Sequence, residues 1–226
     1  MSDLNLWGRV LRGTIVVPEP LCPLACGCLL FCSLLFALQP ASTNAQDVSA
    51  GAVVFSEDFS RVAPSGIQFD REGVWSVEDG HLRALLPNEK QKRSFAYLGS
   101  EDWTDYSIDL DVCGLRGADK VVAVRMRGSK AVVVDLRGAG YEDVVMYRGY
   151  SKLGHHAVPN PNGSWSHLRV EVLGARYRAY VNGLLTIDFS EKHNKRPRGR
   201  LALVAYTGGA GQCEVLYDNV VVRELR

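Results

Sequence analysis

Residues 165–189 read WSHLRVEVLGARYRAYVNGLLTIDF, and they carry the clearest secondary-structure signal in the chain. Apolar and polar residues alternate along three short runs, the period-two pattern of strands that bury one face. Gly174-Ala175 separates the first two runs, and Asn182-Gly183, a strong hairpin signal, separates the last two. The pattern predicts an antiparallel meander. Its predicted inward-facing residues are Leu168, Val170 and Val172, then Tyr177, Ala179 and Val181, then Leu185, Ile187 and Phe189.

The remainder of the chain after residue 52 repeats this pattern. About a dozen short strand-like runs follow one another at roughly 8–12 residue spacing, and Gly, Asn and Asp occupy the joints between them. None of these runs shows a sustained helical period. We therefore predict an all-β domain over residues 53–226, built as an antiparallel β-sandwich or barrel.

The first 45 residues differ in kind from the rest. Arg9 and Arg12 precede an uncharged apolar run at residues 21–38, and a small polar stretch ends at Ala45. This order is typical of a secretory signal peptide, and we predict cleavage after Ala45. Because the apolar run is just long enough to cross a bilayer, a retained membrane anchor is the alternative. Residues 46–52 are predicted to form a linker.

Charge and cysteine usage limit the classes of partner and the compartment. The chain has 26 Lys and Arg against 25 Asp and Glu, a net charge of +1, which argues against a nucleic-acid partner. A cleaved leader implies a secreted or periplasmic protein without membrane contact beyond the leader. Two of the six cysteines, Cys113 and Cys213, lie after the leader. An oxidising compartment favours a disulfide between them, and two separate buried thiols are the alternative.

Six segments follow one another in an order that is more informative than any one of them alone. They are FSEDFS (55–60), WSVEDGHLRA (75–84), DWTDYSIDLDV (102–112), the meander at 165–189, RGRLALVAY (198–206) and LYDNVVVREL (216–225). In this order the chain resembles the concanavalin A-like lectin and glucanase jelly rolls. The subgroup that it resembles most is the 3-keto-disaccharide hydrolase-type domain, followed by laminin-G-like modules.

The resemblance implies a two-sheet jelly roll that binds or cleaves carbohydrate on the concave face of one sheet. Laminarinase-type glucanases of this fold carry a Glu-x-Asp-x-(x-)Glu motif on one strand. Here Asp109 and Asp111 share a strand face, but no glutamate continues the row. The missing motif argues against a retaining glucanase, and the sequence leaves open whether the protein is an enzyme.

Charged and aromatic residues on consecutive predicted strands are the candidate ligand surface. In a sandwich, one face of these strands fills the core, and Val122, Val124 and Met126 are predicted to lie on that face. The opposite face can offer hydrogen bonds to sugar hydroxyls and rings that stack on a pyranose. The alternative is an ordinary solvated sheet face. The candidate carbohydrate-binding residues are Arg125, Arg127, Asp135, Arg137, Tyr147 and Tyr150.

The resemblance also implies a structural Ca²⁺ ion on the convex side. The matching positions are Asp218, in the closing segment, with Glu57 and Gly80. Calcium prefers six to eight oxygen ligands, which one or two carboxylates, carbonyls and waters can supply. The alternative is that Asp218 caps local backbone N–H groups.

These observations favour a secreted carbohydrate-binding module of the lectin or laminin-G-like kind, with a carbohydrate or glycan as its ligand. A glycoside hydrolase acting on a disaccharide, a 3-keto-disaccharide or a glucan is the first alternative. An extracellular protein–protein interaction module is the second.

Overall fold

The computed structural model describes residues 50–61 and 63–226. Every regular element in these ranges is a β-strand, which confirms the all-β class. In chain order the strands are β1 (Ala50–Glu57), β2 (Ile67–Phe69), β3 (Trp75–Glu78), β4 (His81–Leu86), β5 (Arg93–Leu98), β6 (Tyr106–Arg116), β7 (Asp119–Arg127), β8 (Lys130–Arg137), β9 (Asp143–Arg148), β10 (Ser151–Ala157), β11 (Trp165–Leu173), β12 (Arg176–Val181), β13 (Leu184–Ser190), β14 (Arg200–Tyr206) and β15 (Cys213–Leu225).

The strands form two antiparallel sheets stacked as a sandwich, as predicted. One sheet has eight strands in the order β13-β12-β11-β6-β15-β4-β3, and β1 pairs with β15. The other has seven strands in the order β10-β9-β8-β7-β14-β5-β2. Many neighbours are distant in sequence, so both sheets depend on long-range pairing.

The meander at residues 165–189 is strands β11, β12 and β13, at one edge of the eight-stranded sheet. Leu168 pairs with Val181 across its first hairpin. Asn182 and Gly183 both have positive φ, 50° and 80°, as a two-residue hairpin turn of this type requires. Leu185 is exposed rather than inward-facing, because the register between β12 and β13 shifts after Ala179.

The core lies between the sheets and takes alternate residues from each strand. Strand β4 is an example, with Leu82, Ala84 and Leu86 buried and the residues between them half-buried. Strands β7 and β8 contribute Val122 and Val132, among others, to the same core. Each large apolar side chain buried in this way stabilises the fold by about 1.5–3 kcal/mol.

Three features differ from the sequence prediction. Residues 151–157, which were not assigned to a strand, form the edge strand β10 and pair with β9. Strand β1 begins at Ala50, inside the predicted linker. The short strand β2 pairs with β5 and was not predicted. Both β2 and β10 are edge strands, and none of their residues is fully buried, so neither has the apolar alternation from which a strand is predicted.

The predicted signal peptide or membrane anchor, residues 1–45, lies outside the described residues. Within the described part of the chain, no helix is long and apolar enough to cross a membrane.

Candidate functional site

A groove of about 1000 Å³ lies on the outer face of the seven-stranded sheet. Its floor is a second cluster of buried apolar residues, separate from the core between the sheets. The floor exists because β7 and β14 carry apolar residues on both faces. One set packs into the core between the sheets, and the other lies on the outer face of the seven-stranded sheet. The cluster consists of Val121, Ala123, Met126, Ala131, Ala202 and Val204, and all of these except Ala202 line the groove.

Aromatic side chains flank this floor. Phe95 and Tyr97, two residues apart on β5, share a face and stack with ring centroids 5.5 Å apart and planes 5° from parallel. Tyr206 follows on β14, and the guanidinium of Arg93 lies 4.5 Å from its ring centre. Tyr147 of β9 lines the opposite side. The groove therefore combines an apolar floor with ring surfaces, the arrangement that suits a flat, partly apolar ligand.

One end of the groove carries most of its polar groups. Arg137 on β8 pairs in register with Asp119 on β7, and Arg93 on β5 pairs with Tyr206 on β14. Asp135, two residues from Arg137 on β8, pairs with Val121 and lies further from this end of the groove. The strand register thus brings residues from three non-adjacent parts of the chain into one polar row.

Asp119 and Asp135 form a coupled pair of carboxyl groups. Burial raises the pKa of Asp135 well above its usual value, and the nearby Asp119 charge raises it further. Burial also raises the pKa of Asp119, while a hydrogen bond with Asp135 opposes that rise. Because burial acts more strongly on Asp135, it is the member of the pair that favours the protonated form more strongly.

Arg137 is held in place at this end by partners outside the groove. Its Nε donates to Oδ1 of Asp143 at 2.8 Å, and its guanidinium lies 4.4 Å from the ring centre of Tyr141. Burial alone would raise the pKa of Asp143, but the hydrogen bond and charge of Arg137 outweigh it and lower that pKa. His155 also contacts Asp143, with Nε2 to Oδ2 at 2.9 Å. This framework fixes the guanidinium beside Asp119.

The prediction that Arg125 lies on the ligand face is wrong. A β-bulge between Val124 and Arg127, with φ of +48° at Arg125, turns the Arg125 side chain inward and Met126 onto the groove floor. Arg125 is 0% exposed. Met126 was predicted to lie in the core between the sheets, so its placement is also corrected.

The guanidinium of Arg125 joins segments that are far apart in sequence. It donates to Thr104 O at 3.1 Å, Asp105 Oδ1 at 2.8 Å and Arg196 O at 2.9 Å. Close packing continues at Gly199, where an added Cβ would lie 2.3 Å from the Arg125 carbonyl carbon. Arg125 is therefore a structural anchor and not a ligand-binding residue.

Arg127 also lies away from the groove, contrary to the prediction. Its Nε is 3.6 Å from Oε2 of Glu101, and it is not among the groove residues. The same bulge moves the Arg127 side chain off the face of the sheet that strict alternation predicts. The other four predicted residues, Asp135, Arg137, Tyr147 and Tyr150, do line the groove, with Tyr150 fully exposed.

Several groove residues were not predicted as site residues. Phe95 and Tyr97 were not singled out, although their i, i+2 spacing on a strand means that they share a face. Asp119 is the first residue of β7 and precedes the alternating residues 121–127 of that strand. Arg93 and Tyr206 are more than a hundred residues apart, and only strand pairing shows that they meet.

The predicted disulfide is not present, because Cys113 and Cys213 are separate buried thiols. Cys113 lies opposite Leu216 on β15, three residues from Cys213 along the strand. Three residues of strand span about 10 Å, whereas a disulfide needs Cα atoms within about 7 Å. Burial raises the pKa of the Cys113 thiol, and that of the Cys213 thiol to about 12. The alternative of two separate thiols is the one that the structure shows.

The residues of the predicted calcium site have protein partners. The carboxylate oxygens of Glu57 accept the backbone N–H groups of Phe59 and Ser65, both at 3.1 Å. Oδ2 of Asp218 lies 3.2 Å from Nδ1 of His81, and Gly80 occupies the β3–β4 turn. Among the described residues no group of three or more His, Cys, Asp or Glu is arranged to hold a metal. The Ca²⁺ ion stays a prediction. Thermal melting with Ca²⁺ and with EDTA checks it.

The two stacked antiparallel sheets confirm the predicted two-sheet sandwich, and solved structures share this fold. The model of the 3-keto-alpha-glucoside-1,2-lyase-like domain matches residues 64–223. The chain belongs to this family. A comparison with curated proteins finds no match.

Solved structures share the fold at low sequence identity. A family 66 carbohydrate-binding module from Bacillus subtilis is 15% identical with a TM-score of 0.59, covering 70% of this chain and 96% of its own. Domain 4 of AbnA, an extracellular arabinanase from Geobacillus stearothermophilus, in complex with arabinotriose, is 15% identical with a TM-score of 0.55, covering 78% and 93%. SCLam, a non-specific endo-beta-1,3(4)-glucanase, is 14% identical with a TM-score of 0.57, covering 77% and 91%.

Proposed function

We propose that the protein binds carbohydrate in the groove on the seven-stranded sheet. The observation that carries this proposal is the apolar floor flanked by the stacked rings of Phe95 and Tyr97, with Asp119 and Arg137 at one end. The C–H face of a pyranose packs on rings and apolar floor, while its hydroxyls hydrogen-bond with the polar row. Membership in a family described by its action on a glucoside supports a sugar as the ligand.

The experiment that tests this proposal is a glycan array followed by isothermal titration calorimetry. Tyr97→Ala removes one stacking ring and is expected to weaken binding by roughly 2- to 13-fold, from the 0.5–1.5 kcal/mol of an aromatic contact. Trp165→Ala is the matched control, because Trp165 is a partly exposed aromatic residue on the other sheet. Equal weakening by both substitutions, or binding to no glycan, would contradict the proposal. Capture of a protein partner alone would favour an interaction module.

The paired carboxyl groups favour a second candidate function, cleavage of a 3-keto-α-glucoside by elimination. Ionised Asp119 takes the proton from C2 of the sugar, and the electron pair of that C–H bond forms the C1=C2 double bond. The C1–O bond breaks, and protonated Asp135 gives its proton to the departing oxygen. The site thus offers one base and one acid without a further reactant.

Turnover of a chromogenic 3-keto-α-glucoside separates cleavage from binding. Asp119→Asn and Asp135→Asn are each expected to reduce turnover by about 10²- to 10⁴-fold, the usual contribution of an acid or base. Asp143→Asn tests indirect effects, since Asp143 holds Arg137 from outside the groove. Binding without turnover would reject the lyase and leave the binding module.

We also infer that the protein acts outside the cytoplasm, as a secreted or periplasmic protein. The supporting observation is the order of charge, apolar run and small residues in residues 1–45. Mass spectrometry of the natural protein should show an N-terminus at Gln46. An intact leader in a membrane fraction would support the anchor instead.

A further inference from the structure

The groove contains cationic side chains that have no carboxylate partner. Arg93, Lys130 and Arg196 line it, and none of them forms an ion pair with any described residue. Elsewhere on the two sheets, arginines commonly pair with acids, as Arg176 does with Asp188. The groove is thus a place where positive charge is left available.

The acids within the groove do not cancel this charge. Asp119 and Asp135 are the two acids among the described groove residues, so even with both ionised they contribute two negative charges against three available cations. Arg137, the fourth cation, is already neutralised by Asp143. The interior of the groove is therefore net positive, although the whole chain is near neutrality.

Two of these cations keep hydrogen-bond donors available. Arg93 is positioned by its contact with the Tyr206 ring, and this contact uses the guanidinium face rather than its N–H groups. The Nε of Arg196 is buried and has no hydrogen-bond partner among the described residues. A buried donor without a partner costs free energy, which a ligand atom that accepts a hydrogen bond from it would recover.

The cations stand at opposite ends of the groove. Arg93 pairs with Tyr206 at one end of β14. At the other end of β14, Arg200 pairs with Met126, and Lys130 and Arg196 line the groove at this level. Six residues of strand separate the two levels, a distance of about 20 Å. Charge at both ends suits an extended ligand rather than a single sugar ring.

We propose that the groove takes an anionic oligosaccharide, with acidic groups bound by Arg93 at one end and by Arg196 and Lys130 at the other. This inference rests on the proposed carbohydrate binding and adds the class of sugar. Carboxylates and sulfates both match the planar donor fork of arginine. The aromatic floor holds the rings, and the cations select the acidic substituents.

The test is calorimetry on the full chain at low ionic strength with three probes of similar length. They are tetragalacturonate, a chondroitin sulfate tetrasaccharide and neutral maltotetraose. At least one acidic probe is expected to bind roughly tenfold or more tightly than the neutral one, as hydrogen bonds between charged groups provide. Added salt should weaken the acidic complexes and spare the neutral one. The two acidic probes distinguish carboxylate from sulfate recognition.

Variants assign this preference to the named cations. Arg93→Gln and Arg196→Gln should each weaken the acidic complex by about tenfold and the neutral complex by less, so that the preference for the acidic probe shrinks, while Arg93→Lys should retain part of that preference. Arg223→Gln, on the other sheet, is the control. Equal or tighter binding of maltotetraose would overturn the anionic class and leave sugar binding intact. Binding of no oligosaccharide would overturn both.

Discussion

Arg125 is the side chain on which the shape of β7 depends. Its guanidinium is fully buried, pairs with Asp105 and donates to backbone carbonyls of three loops. Removing one partner of a buried charged network leaves the remaining polar groups without hydrogen bonds. The bulge that places Met126 in the groove is stabilised by this network.

Arg125→Met is therefore expected to lower the free energy of unfolding by about 3–5 kcal/mol. Urea denaturation followed by tryptophan fluorescence measures this change. Arg127→Met, two residues away but exposed and loosely paired with Glu101, is the control and should cost less than about 1 kcal/mol. Similar losses for both variants would contradict the anchoring role of Arg125.

Asp135 makes stability depend on pH in an unusual direction for an aspartate. Burial raises its pKa above the ordinary 3.8, so the folded state binds its proton more tightly than the unfolded state. The resulting contribution of Asp135 to the free energy of unfolding is fully present below about pH 4. It is lost as pH rises through the raised pKa of the folded state. Asp119, Arg137 and the backbone N–H of Lys120 are the groups that face it.

Asp135→Asn, which is uncharged at every pH, is expected to raise the melting temperature at pH 7. The difference from the natural protein should shrink toward pH 4, where Asp135 is protonated. Melting curves between pH 4 and pH 8 measure this trend, with Asp188→Asn as an exposed-pair control that should show the opposite sign. A lower melting temperature at pH 7 for Asp135→Asn would show that the carboxyl group is ionised and well paired.

At the scale of elements, the two sheets meet where β10 passes β13. An added Cβ on Gly154 would lie 2.4 Å from Cγ2 of Ile187. Gly154→Ala is expected to cost about 1–3 kcal/mol through overpacking. Gly209→Ala, in open space, is the control and should change stability by less than about 0.5 kcal/mol.

A double-mutant cycle locates this contact. If the loss arises from Ile187, then Gly154→Ala combined with Ile187→Ala should cost less than the sum of the single changes. Strict additivity would place the strain elsewhere.

The pairing of β6 with β15 makes a prediction about the thiols. Cys113 and Cys213 are about 10 Å apart along the strand direction and buried, so neither a disulfide nor rapid alkylation is expected. Iodoacetamide should label both residues only after denaturation. No reductant should be needed, and peptide mass spectrometry can show this. A Cys113–Cys213 cross-linked peptide would contradict the register.

For the whole molecule, strand alternation and turn residues predicted the meander and an antiparallel sandwich or barrel, and the family resemblance selected the two-sheet sandwich. The same alternation failed at Arg125, Met126 and Leu185, because a bulge or register shift reverses every residue that follows it. No local signal in VVAVRMR marks the bulge. Long-range pairing, such as Arg93 with Tyr206, was likewise out of reach of local patterns.

A heteronuclear NMR titration with an oligosaccharide that binds in calorimetry shows whether the groove on the seven-stranded sheet is the binding site. Groove binding predicts that the largest backbone amide shifts fall on β5, β7, β8 and β14, around Tyr97, Val121 and Val204, and leave β6 and β11 unchanged. Shifts concentrated on the eight-stranded sheet would contradict it.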